Sequence, residues 1–238
     1  MSIKVSFVKL NRLTGIFQYL RDHLSRTYPA GSRVDSSNPK PLLAWAIGSQ
    51  LVALNFQTHD AAMVINDGRF RENGCCGYVL KPGSILRPDE SQMVDQEITL
   101  SIRILSGACL PKPKAEKVGE VIDPYVVIRV HDVVMNAESD LTSGSLRKDL
   151  LDRAERKTNE VRDNGYCPQW NSCEYRFAVK TPEVAMVSFY VVDSDAGFLD
   201  DTTCKVRFGS ITSGWYHVYP IYELIFAATN RLPSLYRA

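Results

Sequence analysis

EITLSIRIL, residues 97–105, decides the fold of the larger part of this chain. Ile98, Leu100, Ile102 and Ile104 fall on one side of an extended segment, with Thr99, Ser101 and Arg103 on the other. A period of two over this length is a half-buried strand. Working outward, PYVVIRV (124–130), CEYRFAV (173–179), MVSFYVV (186–192) and WYHVY (215–219) are further strand candidates, separated by loops rich in Lys, Gly, Asp and Asn. Several short strands with turn signals between them predict an antiparallel β-sandwich over residues 95–238. SDLTSGSLRKDLLDRAERK (139–157) breaks the pattern: it is polar and helix-permissive, and is expected to be an exposed inserted loop. After WYHVY a closing strand is suggested only by ELIFAATN (223–230), and a sandwich short of one strand exposes an edge.

Residues 1–90 read differently. RLTGIFQYLRDHL (12–24) places Leu13, Ile16, Phe17, Leu20 and Leu24 at helical spacing. LVALNFQT (51–58) is nearly continuous in apolar residues and reads as a buried strand, as in the centre of an α/β barrel. HDAAMVIN (59–66) suggests a short helix stopped by Asp67–Gly68. The expected architecture is therefore α/β followed by all-β.

The whole chain carries a formal charge of +1, which does not point to nucleic acid. Residues 1–90 hold 11 Lys+Arg against 7 Asp+Glu, and residues 91–238 hold 17 against 20, so a basic part is joined to an acidic one. No cysteine pair has zinc-ligand spacing, and the six cysteines read as reduced, mostly buried thiols of a cytoplasmic protein. Lys4, Lys9, Asn11 and Arg12 interrupt any signal-peptide core, and no apolar run approaches the ~20 residues of a spanning helix. Membrane contact is expected to be peripheral.

LSRTYPAGSRVDSSN (24–38) closely resembles the LSRIYP-G-R-DSSN segment in the Y half of eukaryotic phosphoinositide-specific phospholipases C. LVALNFQT and GCCGYVLKP (74–82) follow in that family's order, and DPYVVIRV, NGYCPQWN and VSFYVVDSD (123–195) resemble its C2 domain. The resemblance implies the C-terminal segment of a (β/α)8-type barrel over residues 1–90, then a C2-like sandwich. It implies calcium-dependent hydrolysis of phosphatidylinositol phosphates to diacylglycerol and inositol phosphates. A non-catalytic, calcium-dependent phospholipid-binding module, or an inactive relative, is the alternative.

Arg26 and Tyr28 stand at i, i+2, on one face of an extended segment. A guanidinium forks to phosphate oxygens, and a tyrosine ring offers a flat face to a sugar-like ring. Taken alone the pair reads as a surface arginine and a packing tyrosine; the resemblance implies contact with the phosphorylated inositol headgroup. Arg33 and Asp35 to Asn38 read as a hydrogen-bonded turn. Asn55 and Gln57 either enter the barrel top or satisfy backbone groups there. His23, His59, His131 and His217 lie in no context matching the family's two catalytic histidines, which belong to the X half of the barrel. The chain alone is expected to be inactive.

Asp123 precedes one strand candidate, and Asp193 and Asp195 follow another; Asp201 comes eight positions after Asp193, with Asp200 beside it. Any one of these reads as a turn cap. Together, calcium being a hard cation that takes six to eight oxygens, they match the ligand spacing of a calcium-binding C2 domain. Ca2+ is thus the implied cofactor, and an anionic membrane surface the implied partner. Lys112, Lys114 and Lys117 either meet that surface or are simply solvated.

Overall fold

The computed structural model describes residues 19–81, 83–86, 97–111, 121–133, 151–194, 201–208, 214–217 and 223–231, the backbone alone at 84–85, at 151–153 and from 201 onward. Residues 12–18 of the expected first helix, Lys112, Lys114, Lys117, positions 139–150 of the expected loop, Asp195 and Asp200 lie outside these.

Two four-stranded antiparallel sheets face each other. One has the order β6-β3-β10-β9, from β3 (Ile98–Ala108), β6 (Tyr175–Val179), β9 (Gly214–His217) and β10 (Glu223–Arg231). The other is β5-β4-β7-β8, from β4 (Pro124–Val133), β5 (Leu151–Lys157), β7 (Met186–Asp193) and β8 (Asp201–Phe208). The alternating residues of β3 meet Val126, Ile128 and Val130 of β4 and Phe189 and Val191 of β7 in the core. The closing strand exists: ELIFAATN lies within β10, between β3 and β9, in the interior of its sheet.

The expectation of a loop over 139–157 fails at its C-terminal end. Leu151–Lys157 is β5, paired antiparallel with β4 from Val127↔Lys157 to Val133↔Leu151. Its polar side chains find partners: Glu155 Oε2 accepts from Arg129 Nε at 2.7 Å, while Ala154 packs against the core.

Upstream, residues 19–22 are helical (α1). β1 (Arg26–Thr27) pairs in parallel with β2 (Leu51–Val52). The expected buried strand over 51–58 is thus two residues long, and Leu51 is 53% exposed. A continuous apolar run is buried only where both sheet faces are covered, and among the described residues β2 has β1 as its one partner. LLAWA forms α2 (Leu42–Ala46). α3 (Ala61–Arg69) runs through Asp67–Gly68, which do not stop it. Its start is capped by Asp60, whose Oδ1 accepts from Met63 N–H at 3.1 Å. α4 (Gly83–Leu86) is a single turn.

β7 is buried along its whole length, and β4 everywhere but at Arg129. Beyond the sandwich core, Leu42, Leu43 and Trp45 of α2 and Ile65 of α3 pack on Val133 and Met186 of the second sheet and on Val184 in the turn before β7. Arg69, buried, donates from Nη1 to the Glu183 carbonyl at 3.0 Å, and Gly83 N–H donates to Glu183 Oε1 at 3.0 Å. The two parts therefore share a second apolar core. The five described cysteines, Cys75, Cys76, Cys109, Cys167 and Cys173, are free as expected, but exposed rather than buried.

Candidate functional site

The first candidate site lies at β1. Leu51 N–H donates to the Ser25 carbonyl and Ala53 N–H to that of Thr27, at 3.1 and 3.0 Å, so this strand pair is short but regular. Strand pleating turns Thr27 inward, 1% exposed, and leaves Arg26 and Tyr28 exposed on the opposite side. The Arg26 guanidinium carbon lies 4.7 Å from the centroid of the Tyr28 ring. The structure therefore brings the two residues together as a cation–π pair. Among the described residues, no carboxylate pairs with Arg26, so its N–H groups remain open to an anion.

The chain beyond Tyr28 forms a braced rim. Asp35 Oδ1 accepts from Ser37 N–H at 3.1 Å, and Arg33 Nη1 donates to Ser37 Oγ at 3.0 Å. Asn38 ties this turn to the one after β2: its N–H donates to Asp60 Oδ2 at 3.0 Å, and its Oδ1 accepts from Asn55 N–H at 2.6 Å. Asn55 Nδ2 and Thr58 Oγ1 both donate to the Ser36 carbonyl, at 3.0 and 2.9 Å. Asn55 thus satisfies backbone groups and Gln57 is exposed. The polar cluster is the turn expected, and it fixes the chain on which Tyr28 stands.

The second candidate site is at one end of the β5-β4-β7-β8 sheet. Asp123 enters β4, Asp193 ends β7 and Asp201 starts β8; Asp193 stands in register with both Pro124 and Asp201. Three neighbouring strand ends thus carry three of the four expected acidic residues. Asp123 N–H donates to Asp193 Oδ1 at 2.7 Å, and Asp123 Oδ1 accepts from Asp163 N–H at 2.7 Å. Asp193 is 2% exposed, and among the described residues no lysine, arginine or histidine pairs with it. Buried carboxylates are normally paired or bound to metal. Asp123 and Asp193 are oxygen donors of the type a hard cation takes. Among the described residues no three metal-ligating groups gather, and the side chain of Asp201 is outside them.

The sequence reading missed Glu160, Arg162 and Asp163, which the fold brings to this same end. Gly165 explains the approach: a Cβ there would lie 2.5 Å from Ile122 Cγ1, so only glycine lets the segment lie on the residue before Asp123. Arg162 Nε is 2.9 Å from Glu160 Oε1. The Arg162 guanidinium, and then Ser194, hold the Glu160 carboxyl below its usual range.

Comparison with known proteins covers both parts. Residues 4–84 match the family described as phosphatidylinositol-specific phospholipase C, Y domain, and residues 98–218 match the C2 domain. The 1-phosphatidylinositol 4,5-bisphosphate phosphodiesterase delta-1 of Homo sapiens is 36% identical over 216 residues, 86% of this chain and 26% of the relative. The delta-4 protein of Homo sapiens is 40% identical over 178 residues, 72% of this chain and 21% of that one. The crystal structure of L. pealei PLC21 superposes with a TM-score of 0.67 at 28% identity, over 92% of this chain and 28% of that one. The chain spans about a quarter of the length of these relatives. Among the described residues no helix is long and apolar enough to cross a membrane.

Proposed function

Because this chain belongs to the phosphoinositide-specific phospholipase C family, as the end of the barrel's Y domain joined to a C2 domain, we propose that it grips the phosphorylated inositol headgroup and docks the enzyme on anionic membranes. The observation that carries the reading is the pairing of Arg26 with Tyr28, an exposed guanidinium with no carboxylate partner among the described residues, laid against a half-exposed ring. The guanidinium binds a ring phosphate through forked hydrogen bonds, and the tyrosine ring supports the inositol. Thr27, buried between them, and the Asn38–Asn55–Asp60 brace hold both side chains in place.

The whole enzyme is a calcium-dependent phosphoric diester hydrolase acting on phosphatidylinositol phosphates, releasing diacylglycerol and inositol phosphates in signalling. The inositol 2-hydroxyl attacks the phosphodiester, and the cyclic product is then hydrolysed. The acid and base belong to the other half of the barrel; this chain contributes the clamp. At the C2 end, Asp123, Asp193, Asp195 and Asp201 would hold calcium, which supplies positive charge towards lipid phosphates. The protein acts in the cytoplasm and peripherally at the membrane.

The test uses a complete enzyme with both barrel halves, as wild type and as Arg26→Ala. Turnover of phosphatidylinositol 4,5-bisphosphate is expected to fall about ten- to a hundredfold, the worth of one charge-assisted phosphate contact. The loss on unphosphorylated phosphatidylinositol is expected to be much smaller. Equal losses on the two lipids would make Arg26 a structural residue.

A further inference from the structure

We infer that Arg162 is a resident counter-ion of the acidic end of the sandwich and sets how tightly that end takes calcium. The inference rests on the calcium reading of Asp123 and Asp193. Three observations place Arg162 there. Its Nε is 2.9 Å from Glu160 Oε1, so its charge is held beside an anchored carboxylate. The next residue, Asp163, donates its N–H to Asp123 Oδ1 at 2.7 Å, which ties the backbone carrying Arg162 to the entry of β4. The Ser194 hydroxyl, beside Asp193, donates to the Glu160 carboxylate, linking the ion pair to the end of β7. The hydrogen bond to Glu160 and its charge, then the charges of Asp123 and Asp163, raise the basicity of the Arg162 guanidinium.

The Arg162 side chain is 79% exposed, so it is not part of any core. Without calcium it offsets the mutual repulsion of the carboxylates. With calcium it is a like charge close to a divalent ion, and it opposes binding. The direction of the effect is thus opposite to that of an arginine that helps by touching lipid phosphate.

The experiment is isothermal titration of calcium into the full chain, without lipid, for wild type, Arg162→Gln and Arg162→Lys, with circular dichroism as the folding control. Arg162→Gln is expected to bind calcium roughly three- to tenfold more tightly, the scale of one unit charge acting on a divalent ion across water-screened ångströms. Arg162→Lys keeps the charge and is expected within about twofold of wild type on the same electrostatic argument. The gap between wild type and Arg162→Gln should narrow at high salt. Calcium binding by Arg162→Gln alone would support the inference most strongly. Equal or weaker binding by a folded Arg162→Gln, with wild type binding calcium, overturns the role of Arg162 alone. Absence of binding in every variant overturns the calcium reading of the acidic end, and this inference with it.

Discussion

Asp132, at the end of β4 opposite Asp123, holds the turn on which the two parts of the molecule meet. Its carboxylate is 4% exposed and accepts from Val133 N–H at 2.8 Å, Lys180 N–H at 2.6 Å, Thr181 N–H at 3.1 Å and the Thr181 hydroxyl. That turn carries Glu183, whose carbonyl accepts from Arg69 and whose carboxylate accepts from Gly83 N–H. Asp132→Ala removes the acceptor for all four donors. A charge-assisted bond is worth about 1.5–3 kcal/mol net, but these bonds share one carboxylate and do not add. Water also reaches part of the vacated turn. The expected cost is about 3 kcal/mol, in the range for breaking a buried hydrogen-bond network. At the entropy of unfolding of a domain this size, that lowers Tm by roughly 6–12 °C. Asp132→Asn keeps one acceptor oxygen but turns an amide donor towards backbone donors, and should recover less than half of the loss. The assay is thermal and urea unfolding of the full chain, with limited proteolysis across residues 180–184. A drop of Tm under about 2 °C for Asp132→Ala, with unchanged cleavage, would refute the claim that this carboxylate organises the junction.

Two smaller tests address the barrel part. Trp45 is buried against Phe70 in an edge arrangement, and its Nε1–H has no hydrogen-bond partner among the described residues. Trp45→Phe loses ring volume but also an orphan donor, so the two effects oppose each other and urea unfolding should show a change below about 1.5 kcal/mol. Asp60→Ala removes the cap of α3 together with the acceptor for Asn38 N–H. It should cost about 1–3 kcal/mol by the same measurement, more than a surface cap alone, because the turn behind Tyr28 loosens as well.

What was legible in the sequence follows from where each strand sits. β3 shows clean alternation because one of its faces meets the core. β4 and β7 are largely apolar, without a polar alternation, because both faces are covered, the outer one partly by α2 and α3. The two strands that were not recognised, β5 and β8, are the two edges of their sheet. Edge strands carry charged and polar residues, as in DRAERK and DTTCKVRF, and so read as loop or surface. LVALNFQT was over-read for the converse reason, an apolar run being taken as proof of a strand covered on both sides. At the sites, Arg26 beside Tyr28 and Asp123 and Asp193 at neighbouring strand ends could be picked out as candidates because local motifs carry them. Glu160, Arg162 and Asp163 were not, because they reach the acidic end through a hydrogen bond spanning 40 residues of chain and a glycine contact with Ile122. No local pattern records either.

The most direct test of the account is sedimentation of the full chain with anionic vesicles across a calcium titration, beside a variant carrying Asp193→Asn and Asp195→Asn. Asparagine keeps the oxygen at position 193 that accepts from Asp123 N–H, so the fold should survive, as circular dichroism will report. The wild-type chain is expected to bind more as calcium rises and less as salt rises, because the attraction is screened electrostatics. The double variant should lose most of its calcium dependence, two carboxylates having left the ligand set. Equal wild-type binding in chelator and in millimolar calcium would contradict the account and leave the acidic residues as turn caps.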